Sequence, residues 1–241
     1  MPKDFLLPFQ KKELIASETY AFYFDSSKED LSFLPGQYIR MTLPISNPDE
    51  RGISRFFSLT TSPLEKNYIR IITKIIKSTF KKTLVTLETG NQVKFFGPTG
   101  GFSMREDATS HVFLAGGIGI TPFLSMISYL DEKQLHTPVI LIVSFSQPEQ
   151  AILMEEMQTI AKRNPNIKII YTITQPELSL SIWNGEKGRI SEDLLRKFIV
   201  NTNEPMYYIS GPPAMVMGMS ELVENLGVES SHILKESFVG Y

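Results

Sequence analysis

HVFLAGGIGITPF, residues 111–123, is an apolar run that breaks into glycines and resumes as a helical pattern. His111–Leu114 predicts a short strand. Gly116, Gly117 and Gly119 let the backbone turn sharply and let a ligand approach it closely. Apolar residues then recur at helical spacing over Ile120–Leu130. Thr121 suits the cap of that helix and Pro122 its first position. A helix start exposed in this way offers free N–H groups and a positive dipole end, which suit a pyrophosphate. The spacing Gly117-x-Gly119-x-x-Pro122 departs from the usual Gly-x-Gly-x-x-Gly fingerprint. Taken alone, the segment reads equally well as a tight strand-to-helix turn with no ligand.

Downstream of this turn, strands and helices alternate. Val139–Phe145, Ile167–Ile173 and Met206–Ile209 are strand-like, and Ala151–Lys162, Glu192–Phe198 and Ala214–Leu226 are helix-like. Strands apolar on both faces and separated by helices predict a parallel sheet covered on two sides. The polar stretch Gln175–Gly188 reads as a surface loop. Upstream the pattern differs. Tyr20–Asp25, Gln37–Leu43, Arg55–Thr61, Tyr68–Ile76 and Asn91–Phe96 are rich in β-branched and aromatic residues and bounded by turn signals. Only Thr79–Leu87 looks helical among them. Such a series predicts an antiparallel barrel or sandwich. The change of pattern near Met104–Ser110 divides the chain into domains 1–104 and 105–241.

Four further segments could carry chemistry. RFFSLT, residues 55–60, puts Arg55 and Phe57 on one face of a strand. Arg55 could pair with phosphate, Phe57 could stack on a planar ring and Ser58 could hydrogen-bond a ring nitrogen, although a plain amphipathic barrel strand explains the same pattern. GPTGGF, residues 97–102, joins the two halves. YISGPPAMV, residues 208–216, ends a strand at the carboxyl edge of the parallel sheet, where open α/β sheets bind ligands. KESFVGY, residues 235–241, sets a glutamate and two aromatics at the end of the sequence, which by themselves read as docking contacts.

Composition narrows the classes. With 24 basic and 26 acidic residues and a net charge of −2, the chain has no overall field for nucleic acid. It has no cysteine, which excludes disulfides, thiol nucleophiles and thiolate-held iron–sulfur clusters within these residues. His111, His136 and His232 are scattered, so no metal site is expected. No apolar run approaches a membrane span, and the N-terminus does not have the pattern of a signal peptide, so a cytoplasmic location is expected. Trp183 reads as a loop anchor and Glu155-Glu156 as a solvated face.

Taken together and in this order, the segments resemble the ferredoxin–NADP reductase family of flavoproteins, from about Phe9 to Tyr241. The resemblance implies an N-terminal antiparallel Greek-key β-barrel holding FAD, followed by a Rossmann-like parallel α/β domain for NAD(P). It implies that Arg55 meets the FAD pyrophosphate, that Phe57 packs on the flavin, and that Ser58, with Leu59 beside it, lies near N5. Ile72, Thr73 and Lys74 would line the pyrimidine side. Ser78, Thr79 and Phe80 fall where the family carries a second phosphate turn. Gly116, Gly117, Gly119, Thr121 and Pro122 match the nicotinamide dinucleotide loop. Ser210, Gly211 and Pro212 match the segment beside the nicotinamide, and Glu236 and Phe238 match the carboxylate and aromatic near the flavin.

Three departures stand out. Phe57 replaces a tyrosine, Ser210 replaces a cysteine, and Ser78-Thr79-Phe80-Lys81 has no glycine where the family has Gly-x-x-Ser, which leaves Lys81 or Lys82 to supply charge. The implied activity is transfer of hydride from NADH or NADPH to FAD. Ser58 would orient N5, Ser210 and Glu236 would frame the nicotinamide, and Phe238 would cover the flavin. The acceptor would be a protein such as a ferredoxin, a flavodoxin or an oxygenase component. A small acceptor (free flavin, a quinone or a ferric chelate) and a non-catalytic dinucleotide sensor are the alternatives. Ser146-Gln147-Pro148-Glu149 carries no arginine for a 2′-phosphate, which favours NADH, although Arg163 and Arg189 could fold in.

Overall fold

A computed structural model describes residues 2–239. Tyr241, the second aromatic of the C-terminal segment, lies outside the described residues. The chain forms two compact units. Residues 1–104 and 121–129 make the first, and residues 105–120 and 130–241 make the second.

The first unit contains β1 (Lys3–Ala16), β2 (Thr19–Asp25), β3 (Tyr38–Thr42), β4 (Ser54–Ser58), β5 (Tyr68–Lys74), α1 (Thr79–Val85) and β6 (Gln92–Thr99). The strands run β4-β3-β6-β1-β2-β5, and every pairing is antiparallel. Just past β4, Thr60 joins the two edges: its N–H and hydroxyl both donate to the Arg70 carbonyl, at 3.0 and 2.9 Å. The Greek-key barrel expected from the resemblance is therefore present. Alternate residues such as Phe5, Leu7, Ile39, Met41 and Phe95 fill its core, and α1 adds Phe80 and Leu84.

β1 is absent from the strands read in the sequence. Pro8 obscures it because proline cannot donate to a ladder. β1 pairs with β6 over Lys3–Pro8 and with β2 from Phe9 onward, so the proline sits where the strand changes partner.

The second unit is built on β7 (His111–Gly116), β8 (Val139–Phe145), β9 (Ile167–Ile173), β10 (Glu186–Lys187), β11 (Met206–Gly211) and β12 (Ile233–Ser237). The helices in this part of the sequence are α2 (Thr121–Glu132), α3 (Met154–Arg163), α4 (Glu192–Phe198) and α5 (Pro213–Asn225). Residues 121–129 of α2 group with the first unit. The sheet order is β10-β9-β8-β7-β11-β12, with all pairings parallel. The chain steps outward from β7 in one direction and returns to β11 on the other side. The order therefore reverses between β7 and β11, and open α/β sheets bind ligands at the carboxyl ends of such a pair.

Four local expectations need correction. Gly117–Ile120 is a 3₁₀ turn running straight into α2, so Thr121 is the first residue of the α-helix rather than its cap. The stretch read as a loop over Gln175–Gly188 contains a 3₁₀ turn at Pro176–Leu178 and β10, which extends the sheet edge. α3 starts at Met154 because Pro148–Gln150 form a separate turn and Leu153 has φ 47°. The C-terminal segment, read as docking contacts, supplies most of β12, paired to β11. Among the described residues no helix is long and apolar enough to cross a membrane.

Candidate functional site

In the first unit, β4 sorts its side chains by parity. Phe56 is 57% exposed and packs edge-on against Tyr38, while Arg55 and Phe57 turn inward. Arg55 Nη1 donates to the carbonyls of Arg51, Gly52 and Ser54 at 2.7–2.9 Å. Its Nη2 donates to Asp49 Oδ1 at 2.8 Å. Its Nε is buried and has no acceptor among the described residues. Ser58 Oγ, three residues on, is likewise buried without a partner. Phe57 lies in the barrel core with its ring 6.0 Å from that of Phe80. Leu59 is fully buried, and its N–H donates to the Gln37 carbonyl at 3.0 Å.

β5 offers a backbone edge. The Arg70 carbonyl accepts from Thr60, and the Lys74 carbonyl accepts from Lys81 Nζ at 2.6 Å. Backbone groups of alternate residues point the same way, so Ile72 presents its N–H and C=O on that side too. Thr73, between them, turns its backbone to β2, where it lies opposite Tyr20.

In the Ser78–Phe80 segment the Thr79 hydroxyl donates internally and the Ser78 hydroxyl serves as an acceptor. The Ser78 hydroxyl caps α1 by accepting from Lys81 N at 3.1 Å. Thr79 gives its N–H and hydroxyl to Asp49 Oδ2 at 3.1 and 3.0 Å. Burial works against the Asp49 charge, but the bonds from Thr79 and Arg55 hold its carboxyl below the ordinary value. Phe80 is in the core. Lys81 is 3% exposed, whereas Lys82 is exposed. Asp49 and the burial of Lys81 were not read from the sequence. A signal for the first was available in the Asp49-Glu50-Arg51-Gly52 turn, six residues before Arg55.

In the second unit, three glycines are explained by the absence of space or by φ. A Cβ on Gly119 would fall on the Ser210 carbonyl. One on Gly116 would strike the Met215 sulfur at 2.5 Å and approach the Pro212 ring. Gly117 has φ +54° and open space around it. The strand ends bring Ser210, Gly211, Glu236 and Phe238 together. Ser210 is in register with Ala115 on one side and Glu236 on the other, and Gly211 with Ser237. Phe238 N–H donates to the Gly211 carbonyl at 2.9 Å. Pro212 leads into α5.

Ser210 Oγ and Glu236 Oε2 are both buried without a hydrogen-bond partner among the described residues. Burial pushes the Glu236 carboxyl up to about 7. At the opposite end of β7, His111 packs against Phe113 and Tyr208, and burial pushes its imidazole down to about 4. The sequence reading used His111 as a strand residue and as one of three scattered histidines, and did not foresee its burial. Among the described residues no cluster of His, Asp or Glu suits a metal.

The oxidoreductase FAD-binding domain model matches residues 6–104, and the oxidoreductase NAD-binding domain model matches residues 113–221. The electron transfer component of toluate 1,2-dioxygenase from Pseudomonas putida is 28% identical over 88% of this chain and 61% of its own length. NADH-cytochrome b5 reductase 1 of Coccidioides immitis is 28% identical over 84% of this chain and 64% of its own length. The chain thus spans somewhat under two thirds of these relatives. The cytochrome b5 reductase domain of Ulva prolifera nitrate reductase has the same fold, with a TM-score of 0.85 at 20% identity and 97% coverage of both chains.

The residues of the first unit fit FAD. A cation with an unused buried N–H, an unpartnered buried hydroxyl and an open strand edge suit a diphosphate, a ring nitrogen and a ring amide respectively. With an FAD-binding domain followed by an NAD-binding domain, the chain belongs to the ferredoxin–NADP reductase-like family of flavoprotein oxidoreductases.

Proposed function

We propose that this chain takes electrons from a reduced nicotinamide dinucleotide and, by way of FAD, passes them to a protein acceptor. The observation that carries this reading is the Ser210–Glu236 pair, two buried polar groups in register at the end of β11 and β12, each with an unused hydrogen-bonding atom. Buried polar atoms without partners are rare, and one explanation is a ligand that satisfies them. A carboxamide has both a donor and acceptor to offer this pair.

FAD, when bound, accepts a hydride and can release electrons singly or in pairs. The protein's part is to bind and orient. Arg55 carries the charge for the diphosphate, Ser58 offers a hydroxyl to a flavin nitrogen, and the outward backbone groups of Ile72 and Lys74 on the β5 edge hold the ring polar groups, Thr73 facing β2 instead. The 3₁₀ turn at Gly117–Ile120 gives the dinucleotide a close backbone approach, and Phe238 is held beside it by its N–H bond to the Gly211 carbonyl. Thr79 contributes through backbone geometry, because its hydroxyl donates to Asp49, whereas Ser78 accepts from Lys81 N–H and has its own O–H to offer a phosphate.

The preferred donor in this reading is NADH. Past β8, Glu149 accepts from Ser179 Oγ at 2.5 Å, and no cation stands in residues 146–149. A carboxylate there repels a 2′-phosphate. Arg163 is held by Asp131 and is not available to offset it. The acceptor is inferred from relatives named as a dioxygenase electron transfer component and a cytochrome b5 reductase. With no cysteine in these residues, a thiolate-held cluster that receives the electrons lies outside them. A cytoplasmic location, with its supply of reduced nicotinamide, fits the reading.

The test is anaerobic stopped-flow reduction of the FAD-loaded protein by NADH and by NADPH. NADH should bleach the flavin faster, and Glu236→Gln should slow bleaching roughly 10- to 100-fold and flatten its pH dependence around 7. Unchanged bleaching in Glu236→Gln removes the carboxylate from the mechanism, and a flavin that neither nucleotide reduces overturns the enzyme reading.

A further inference from the structure

Lys81 is a buried cation among other cations. It sits in the first turn of α1, 3% exposed, with Nζ donating to the Lys74 carbonyl at 2.6 Å. The charges that reach it are those of Arg51 on the loop before β4, Arg55 on β4 and Lys74 on β5. Two carboxylates lie among these cations: Asp49 is shared between Arg55 and the start of α1, and Glu18 pairs with Lys74 Nζ at 3.6 Å. Arg55 Nε, in the same group of cations, is buried with no acceptor among the described residues.

We propose that Lys81 binds the FAD diphosphate directly and that FAD binding is coupled to uptake of a proton by this side chain. The inference rests on the FAD-binding character of the first unit and adds to it a residue and a protonation step. In the FAD-free protein, burial first, then the fields of Arg51, Arg55 and Lys74, bring the ammonium down to about 7. A diphosphate carries two negative charges into this group and reverses the sign of the field. The charged amine is then favoured. The balance is simple: Lys81 gains one proton from solvent, the cofactor loses none, and no electron moves.

The sign of the linkage follows. Below pH 7 Lys81 is charged with or without FAD, and affinity is flat. Above pH 7 the complex holds a proton that the free protein lacks. Affinity then falls with pH, the slope approaching about tenfold per unit. Arg55, always charged, adds no slope of its own.

The measurement is titration calorimetry of the FAD-stripped full chain with FAD at pH 8, in two buffers of different ionisation enthalpy. About one proton should be taken up per FAD. Lys81→Arg should keep tight binding and lose the proton uptake. Lys81→Met should weaken binding roughly 10- to 100-fold at pH 7. Lys82→Met, on the exposed neighbour, should do neither. Wild-type binding of FAD without proton uptake, or an equal loss from Lys82→Met, overturns the proposal and leaves FAD binding intact. Failure of the wild-type chain to bind FAD at any pH overturns both.

Discussion

Gly119 is where sequence, geometry and chemistry coincide most closely. Its missing Cβ makes room for the Ser210 carbonyl, and Ser210 in turn lies in register with Glu236. The sequence reading singled out Gly119 for close approach, but attributed the approach to a ligand. The neighbour is the protein's own backbone. Gly117, with positive φ and open space, is the position where a ligand can come near. Gly119→Ala must move β11 relative to the turn. It should cost about 1–3 kcal/mol in chemical denaturation and lower dinucleotide affinity with it, because overpacked sites shift backbone. Wild-type stability in Gly119→Ala would show that the contact relaxes freely. Ser210 and Glu236 were legible as positions through the resemblance. Their burial without partners was not legible, since it depends on which strands become neighbours.

At the scale of the element, the strands that escaped the sequence reading share a cause. β1 and β12 carry charged residues on their outward positions and a weak apolar face. β1 shows buried Phe5, Leu7 and Phe9 at period two, yet Pro8 and the Lys11-Lys12 pair mask it. β12 pairs with β11 alone and needs only one good edge. The parallel strands β7, β8 and β9 were plain because burial on both faces leaves an unbroken apolar run. α2 was legible as a helix, but the grouping of residues 121–129 with the first unit was not. One buried contact expresses that grouping: Ser125 Oγ donates to the Thr61 carbonyl at 2.7 Å. Ser125→Ala strands this carbonyl and should destabilise the protein by about 1–3 kcal/mol. Hydrogen-exchange protection in residues 121–129 is the readout, and unaltered protection would show that apolar packing alone holds the segment.

For the whole molecule, two buried groups of the second unit set pH dependences of opposite sign. His111 has an ordinary value of 6.5 and is pushed down to about 4 by burial. The unfolded chain binds its proton first, so stability is full above 6.5 and is lost as pH falls toward 4. Glu236 has an ordinary value of 4.5 and is pushed up to about 7, again by burial. Here the folded chain binds the proton, so stability is full below 4.5 and is lost as pH rises toward 7. Between 4.5 and 6.5 the two slopes oppose each other, each worth on the order of 3 kcal/mol over its full window. The wild-type second unit should therefore show a nearly flat stability profile there, although it contains two strongly shifted groups. His111→Leu should uncover a fall in stability from pH 4.5 to 7, and Glu236→Gln a rise from pH 4 to 6.5. Protection factors of the β7 and β11 amides, corrected for intrinsic exchange, separate these slopes from events in the first unit. If both variants keep the flat profile of the wild type, neither group is as desolvated in solution as its surroundings imply. The unpartnered carboxyl of Glu236 would then be solvated, and its place in the nicotinamide site would lose its physical basis.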